Sequence, residues 1–319
     1  MAEPIVFSLG SINADFEMRV AHPPAPGEMA LAADFARFGG GKAANVAFLA
    51  RRLGVAARLY GRVGDDALRD QALAPLRRAG VDLAGVTTVA DAATAVAMIM
   101  VPPDGNKSII LASNANDAWA AEDAEPVAAA LAAAPPGSAL VADYEVPSPI
   151  VERAVAAARE RGLIIVIDPS PAARVDLDRL AGAAVLTPNP AEAEGLIGIR
   201  VDDVAAAAAA ADRLCRRGVP ALCVKFGAGG CLVADASRKW VIRPVPVPVV
   251  DKTGAGDAFA GALAVALMEG RPLIEAAAFA AAASHLAVTA YGSQPAYPTR
   301  DRILDLLPAL IANTAALEG

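Results

Sequence analysis

Histidine and cysteine are almost missing from this sequence, with two of one and three of the other. Cys215, Cys223 and Cys231 form no C-x-x-C and have no histidine nearby, so they read as free thiols of a reducing cytoplasm. Aromatic residues are scarce too, and Trp119 and Trp240 stand alone without a stacking partner in sequence. There is no cationic excess: 28 Lys and Arg face 35 Asp and Glu, for a net charge of −7. That balance disfavours a nucleic-acid or anionic-membrane surface and leaves small soluble molecules as the expected partners. No run of about 18 uncharged apolar residues occurs, and the start, Met1-Ala-Glu-Pro-Ile5, lacks a basic leader region. The chain is rich in apolar residues, alanine above all, at 55% hydrophobic, enough to bury a large core. The run Ala205–Ala211, between Asp203 and Asp212, reads as a soluble helix of strong propensity.

The stretch Val249-Val-Asp-Lys-Thr-Gly-Ala-Gly-Asp-Ala-Phe-Ala-Gly261 organises the rest. An apolar run stops at a glycine turn, and a helical pattern follows from Asp257 to Met268 until Gly270 ends it. Gly254, Ala255 and Gly256 therefore sit at a helix N-terminus, where backbone amides of small residues and the helix dipole make an anion site. Asp257 has two readings. A first-turn Asp commonly caps a helix, a contribution of about 0.3–1 kcal/mol. It also stands where a general base would take the proton of a hydroxyl attacking a phosphorus seated on residues 254–256.

Short apolar runs alternate with helical patterns over most of the chain. The runs are Ile5–Leu9, Ala57–Tyr60, Ala139–Val141, Leu163–Ile167, Ala184–Leu186 and Ala221–Phe226, and helical patterns lie near 43–53, 65–79, 148–161 and 202–217. This predicts an α/β fold with a mostly parallel, Rossmann-like sheet flanked by helices. Ligands of such sheets sit beyond the carboxyl ends of strands. The residues just past the runs become candidates: Asn13 and Asp15, Asp143 and Glu145, Asp168, Asn189 and Glu192, and Gly227. Residues 11–37 and 94–112 break the alternation with Pro, Gly and β-type patterning, and read as a small β-sheet lid over the site. The core is then 1–10, 38–93 and 113–319.

Phe38-Gly-Gly-Gly-Lys-Ala-Ala-Asn45 is a glycine run opening into a helix. It is not a P-loop, which would need Gly at Ala36 and Ser or Thr at Ala43; nor is Gly254-Ala-Gly256 a dinucleotide fingerprint, since Phe259 stands at the third glycine. The run is either a tight turn with an exposed lysine, or a close backbone approach to a polyol with Lys42 and Asn45 as donors. In Asn189-Pro-Ala-Glu192 the spacing is nearly a capping box, which explains it structurally. Beside an anion site, Glu192 would also orient the waters of a nucleotide-bound Mg²⁺. His22, in a Pro-rich loop, and His285, in an alanine-rich helix, read as structural.

Gly10-Ser-Ile-Asn-Ala-Asp15, Gly39-Gly-Gly-Lys-Ala-Ala-Asn45, Asn189-Pro-Ala-Glu192 and Asp251-Lys-Thr-Gly-Ala-Gly-Asp257, in that order, resemble the motifs of the ribokinase-type (PfkB) carbohydrate kinases over essentially the whole chain. The resemblance implies a Rossmann-like domain with a β-sheet lid that also clasps a homodimer. It implies ATP-dependent phosphorylation of a sugar primary hydroxyl, D-ribose to ribose 5-phosphate first. The alternatives are the same chemistry on fructose, another ketose or a nucleoside, or a sugar-binding regulatory protein without turnover. An NAD oxidoreductase is disfavoured by the failed fingerprint. By the same resemblance, Asn13, Asp15, Gly41, Lys42, Asn45 and Glu145 contact the sugar, Asp257 is the base, and Gly254, Ala255 and Gly256 form the anion hole. Asn189, Lys225, Gly227 and Gly230 fall to the nucleotide, Glu192 to Mg²⁺ through water, and Asp251 and Thr253 to an activating monovalent cation such as K⁺, with residues 288–293 as its second loop. Three positions depart from the pattern: Ala290 replaces a common Arg, Ala281 replaces a residue near the adenine, and Lys252 stands in the usual Thr-Thr pair.

Overall fold

The computed structural model describes residues 3–180 and 185–317. Its strands are β1 (Ile5–Leu9), β2 (Asn13–Val20), β3 (Ala32–Gly40), β4 (Ala56–Gly64), β5 (Asp82–Val89), β6 (Ala95–Val101), β7 (Ser108–Ala112), β8 (Ala139–Asp143), β9 (Ile164–Asp168), β10 (Val185–Leu186), β11 (Ala221–Lys225), β12 (Cys231–Asp235), β13 (Lys239–Ile242) and β14 (Thr314–Ala316). The helices are α1 (Lys42–Arg52), α2 (Ala67–Ala79), α3 (Ala124–Ala132), α4 (Ser148–Arg161), α5 (Leu177–Leu180), α6 (Pro190–Ile197), α7 (Val204–Arg216), α8 (Ala255–Met268), α9 (Leu273–Ala287) and α10 (Arg300–Ala312).

One sheet runs β14-β13-β12-β11-β10-β9-β8-β1-β4-β5. Every pair from β11 through β5 is parallel, and β12, β13 and β14 add an antiparallel edge. Parallel strands covered on both faces carry near-continuous apolar runs. This is why their sequence expectations fall on β1, β4, β8, β9, β10 and β11; Ala184, which the sequence places in the β10 run, lies outside the described residues. One apolar layer gathers α1, α8 and α9 on one face of the sheet, and the other gathers α3, α4 and α7 on the opposite face. The chain leaves β1 toward β4 and β5 on one side, while β8 begins the series on the other. The crevice at this reversal is the place such a sheet offers a ligand.

The second sheet, β3-β2-β6-β7, is the expected lid. Its β2/β6 pair is parallel and the other two pairs are antiparallel. Strand β3 runs through Gly40, three residues past the lid boundary expected from sequence. Gly39 and Gly40 stay extended because neighbours crowd them. A Cβ on Gly40 would stand 1.9 Å from Asp15 Oδ2, and one on Gly39 2.8 Å from the Ala72 carbonyl. The turn itself is left to Gly41, at φ +96°.

Candidate active site

The floor of the site is made by strand ends. Gly10, just after β1, has room for no side chain, since a Cβ there would meet Asp143 Oδ2 at 1.8 Å. Asp143 accepts from the Ser11 amide at 3.2 Å and the Glu145 amide at 2.9 Å, tying the end of β8 to the start of the lid. Ser11 in turn accepts the Lys42 amide at 2.9 Å through its Oγ. Gly41 is the N-cap of α1, and a Cβ there would lie 2.5 Å from the Ser11 carbonyl, so only glycine closes this turn.

Lys42 projects into the cavity rather than to solvent. Its ammonium lies 3.5 Å from Asp168 Oδ1 and 3.7 Å from Asp257 Oδ1. Lys225, at the end of β11, reaches Asp168 from the other side at 3.3 Å. Burial opposes ionisation of Asp168, but the two ammonium groups overcome it and hold its carboxyl below the ordinary value. Lys42 is likewise opposed by burial and raised well above its usual value by Asp168, then Asp257 and Glu145. The trio is a fixed pair of cations on one shared anion.

Asp257 is the third helical residue of α8, and among the described residues its side chain takes a hydrogen bond from Asn45 and none from the amides of that helix. The bond runs from Asn45 Nδ2 to its Oδ2 at 2.8 Å. Asn45 Oδ1 accepts from Gln294 Nε2 at 3.1 Å and Ser293 Oγ at 3.3 Å, which fixes which end of the amide faces the carboxylate. Asn45 lines the cavity, yet its amide is engaged with Asp257. Before α8, Gly254 takes φ +72°; a Cβ there would meet Ser293 and Tyr297 at 2.6 Å. The Ala255 amide leans on the Lys252 carbonyl at 3.4 Å, and the Ala258 amide begins the helical ladder on Gly254 at 2.9 Å. Among the described residues the amides of Gly256 and Asp257 have no backbone acceptor. A Cβ on Gly256 would lie 3.3 Å from Lys225 Nζ, so an ammonium flanks the same turn.

On the acceptor side, Asn13, Asp15 and Glu145 line the cavity. Asn13 is held by Asn116 Nδ2 at 2.9 Å. Asp15 is buried and its Oδ1 has no partner among the described residues. Burial, then the charges of Asp257, Glu145 and Asp251, push its carboxyl well above the ordinary range. Glu145 is also raised, by burial against the opposing pull of Lys42. Asp15 Oδ1 is thus a buried acceptor without a donor among the described residues.

On the opposite side, Asn189 and Glu192 form the complete capping box of α6: Asn189 Oδ1 accepts the Glu192 amide at 2.9 Å and Glu192 Oε2 accepts the Asn189 amide at 2.7 Å. Both also line the cavity. The loop 226–229 forms another wall and includes Gly227. Gly230, expected in a nucleotide loop, is not among the residues that line the cavity. It sits at φ +74°, where a Cβ would be 2.2 Å from the Ile242 carbonyl, so the close pairing of β12 with β13 demands glycine. Ala281 is buried away from the cavity, while His285, one turn later, lines it and bonds through Nδ1 to the Ala281 carbonyl at 2.7 Å.

Asp251 lies beneath the anion turn. Its Oδ1 accepts from the Thr253 amide at 2.9 Å and hydroxyl at 2.7 Å, and its Oδ2 from the Gly292 amide at 2.9 Å. The two loops expected to meet here do meet. A residue not expected, Glu17 of β2, stands against Asp251 fully buried, with both oxygens unpartnered among the described residues. Burial, then Asp251 and Asp15, push its carboxyl up to about 9. Two buried carboxyls side by side require a proton or a cation between them.

Sequence reasoning also passed over Lys107. It precedes β7 on the lid, lines the cavity, and donates to the Lys252 carbonyl at 3.0 Å, the same carbonyl the Ala255 amide approaches. Burial lowers its ammonium below the ordinary value. Lys252 answers in the other direction, its Nζ on Asn106 Oδ1 at 2.8 Å and its amide on the Gly105 carbonyl at 3.3 Å. The lid turn is thereby laced to the anion turn. The Pro, Gly and β-type patterning of residues 94–112 was the available signal, but only the fold shows what its turn docks against.

Most of these residues line a single cavity of about 730 Å³, shared by the acceptor residues, the start of α6, the 226–229 loop and the α8 N-terminus. No helix of the described residues is long and apolar enough to cross a membrane. Residues 4–300 match the pfkB family carbohydrate kinase. The chain is 32% identical to a ribokinase of Haemophilus influenzae, covering 94% of this chain and 97% of that protein, and 32% identical to a ribokinase of Bacillus subtilis, covering 94% and 98%. Among solved structures, Arabidopsis thaliana ribokinase complexed with ribose and ATP superposes with a TM-score of 0.81 at 31% identity, over 96% of this chain and 99% of that one. With the fold, the glycine turns and the cavity all in agreement, the chain belongs to the pfkB family of carbohydrate kinases.

Proposed function

We propose that the chain transfers the γ-phosphoryl group of ATP to the primary hydroxyl of D-ribose, giving ribose 5-phosphate. The observation that carries this reading is the shared cavity: Asn13, Asp15 and Glu145 stand with Asp257 and the 254–256 turn around one space large enough for a pentose and a nucleotide. Asp15, Glu145 and Asn13 take and give the hydroxyl hydrogen bonds, and the lid residues Ala97, Ile99 and Leu111 cover the sugar. Asp257 accepts the proton of the attacking hydroxyl, oriented by Asn45. The amides of Gly256 and Asp257, with Lys225, Lys42 and Lys107, meet the charge of the transferring group. Asn189, Lys225 and Gly227 contact the nucleotide.

Glu192 has one carboxylate oxygen committed to its cap and lines the cavity, so it fits a hard cation through water; a Mg²⁺ on the nucleotide phosphates would neutralise their charge there. The unpartnered Glu17 oxygens beside Asp251 fit a monovalent cation held with Asp251 and Thr253, which would brace the anion turn. The lid exposes Phe35, Met98 and Ile110, an apolar face suited to a second copy, so the cytoplasmic protein is a homodimer in this reading.

Coupled ADP-release kinetics on ribose, 2-deoxyribose, fructose and adenosine test the assignment. D-ribose is expected to give the highest kcat/KM, and Asp15→Ala to lower it by at least about a hundredfold, since each buried hydroxyl left without its partner costs about 1–3 kcal/mol. A higher kcat/KM on fructose or adenosine would leave the kinase and remove ribose.

A further inference from the structure

We infer a second ligand site, for a small organic phosphate, behind the acceptor wall of the active cavity. A separate cavity of about 660 Å³ lies between β3, the last turns of α1 and α2, and the turn at Gln294. Four guanidinium groups border it: Arg37 from β3, Arg51 and Arg52 from the end of α1, and Arg78 from the end of α2. The one carboxylate on its wall, Asp70, is paired with Arg77 at 3.0 Å.

A basic residue in a last helical turn complements the helix dipole and needs no ligand. That accounts for each helix taken alone. It does not account for two helix ends and a strand converging their cations on one concave surface. Arg51 is engaged with the carbonyls of Ala79 and Val55 at 3.3 and 3.4 Å, and Arg37 with Gln71 Oε1 at 2.7 Å. Arg52 and Arg78 have neither a hydrogen bond nor an ion pair among the described residues, so two guanidiniums stand free at the rim. Apart from Asp70, Gln71 and Gln294, the rest of the wall is apolar, with Phe38 and Phe48 prominent. A cationic rim over an apolar floor fits an anion with an organic body better than a bare ion. Gln294 supplies the second observation: it borders the cavity, is 2% exposed, and its Oε1 has no partner. A ligand hydroxyl would satisfy it.

The wall is shared with the active site. Gln294 Nε2 donates to Asn45, which holds Asp257, and Gln71 Nε2 donates to the carbonyls of Asp15 and Phe38 at 3.0 and 2.9 Å. A ligand gripping Gln294 and the α1 and α2 ends fixes the backbone that presents Asp15 and Asn45. The site therefore tightens sugar binding, and by linkage sugar tightens the site. This coupling rests on the reading of Asp15 and Asn45 as sugar contacts; the binding itself does not.

The test is calorimetry on the full-length protein with its active cavity filled by ribose, Mg²⁺ and a non-hydrolysable ATP analogue. AMP, ribose 5-phosphate and inorganic phosphate are titrated separately. The double variant Arg52→Glu/Arg78→Glu, which touches no residue of the active cavity, should keep basal kcat and KM. Saturable one-to-one binding of AMP or ribose 5-phosphate is expected, tighter than that of inorganic phosphate, and at least about tenfold weaker in the double variant. The better of the two should lower the KM for sugar at least about fivefold in the wild type alone. The proposal is overturned if no probe binds, if the variant binds equally well, if inorganic phosphate binds best, or if the bound probe leaves KM unchanged. Binding that is lost in the variant, in a protein that does not phosphorylate ribose, would uphold the site and sink the ribose reading instead.

Discussion

Replacing Asp257 with Asn keeps the size of the side chain and removes its ability to take a proton. The carboxamide oxygen can still accept from Asn45 Nδ2, so the 2.8 Å contact survives. What is lost is the negative charge 3.7 Å from the Lys42 ammonium, but Lys42 keeps Asp168 at 3.5 Å. The ground state is therefore little disturbed: sugar KM should stay within several-fold and the melting temperature within a few degrees. General base catalysis contributes about 10²–10⁴-fold, or roughly 2.7–5.4 kcal/mol of barrier. Steady-state ADP release at saturating sugar and ATP should show kcat down by at least about a hundredfold. A variant that kept a tenth of the wild-type kcat would refute the role of base, since the geometry would then be intact and the proton transfer unnecessary.

Lys107→Met should lower kcat by about 10–100-fold while leaving sugar KM within about threefold, because its ammonium donates to the Lys252 carbonyl, which the Ala255 amide also approaches at the α8 N-terminus; a rise in sugar KM without loss of kcat would move Lys107 to the sugar side. Glu192→Gln should raise the Mg²⁺ concentration needed for half-maximal rate with no loss of melting temperature, since Gln can still accept the Asn189 amide; overlaid Mg²⁺ titrations with reduced stability would make Glu192 a cap alone. Glu17→Gln should flatten the pH dependence of stability in buffers free of alkali cations. The Glu17 carboxyl is raised from 4.5 to about 9 in the fold, so the folded state keeps a proton that the unfolded chain releases, and stability is lost as pH rises across that window. Urea unfolding at pH 5.5 and 7.5 should give a slope smaller in the variant by about 1.4 kcal/mol per pH unit, and equal slopes would mean that the pair holds no such proton.

What was legible in the sequence follows from what forces a residue locally. Six of the seven parallel strands appear as short, mostly apolar runs, while β5, at the sheet edge with no buried residue, does not. The glycine turns were legible because Gly10, Gly41 and Gly254 each sit where a side chain would collide with backbone or a neighbour. The antiparallel edge was not, since β13 and β14 are short and half-exposed. The bounds of α9 were not read either: nearly every residue from Ala276 to Ala287 is buried, so no apolar stripe repeats with the helical period. Glu17 was readable in principle, because alternation along β2 puts Asn13, Asp15 and Glu17 on one face of the lid. Its meaning was not, since Asp251 lies over two hundred positions away. Asp168 was noted as a strand-end residue, but its grip on Lys42 and Lys225 joins three separate parts of the chain.

The placement of charge in the cavity argues for transfer of a phosphoryl group more strongly than any one motif. Unprotected carboxyls, Asp15, Glu145 and Asp257, gather where hydroxyls would be received, while ammonium groups, Lys42, Lys225 and Lys107, gather around the α8 N-terminus. Left alone these sets would collapse into ion pairs and fill the space. Asp168 prevents this by taking Lys42 and Lys225 onto its two oxygens, at 3.5 and 3.3 Å. Lys107 is withheld in another way, by the Lys252 carbonyl on the lid side. Each cation is thus restrained beside the anion turn, and Asp257 is held through one oxygen by the Asn45 amide at 2.8 Å while Lys42 stands 3.7 Å from the other. Binding an anion between them then needs little rearrangement, which is the condition under which fixed charges lower a barrier.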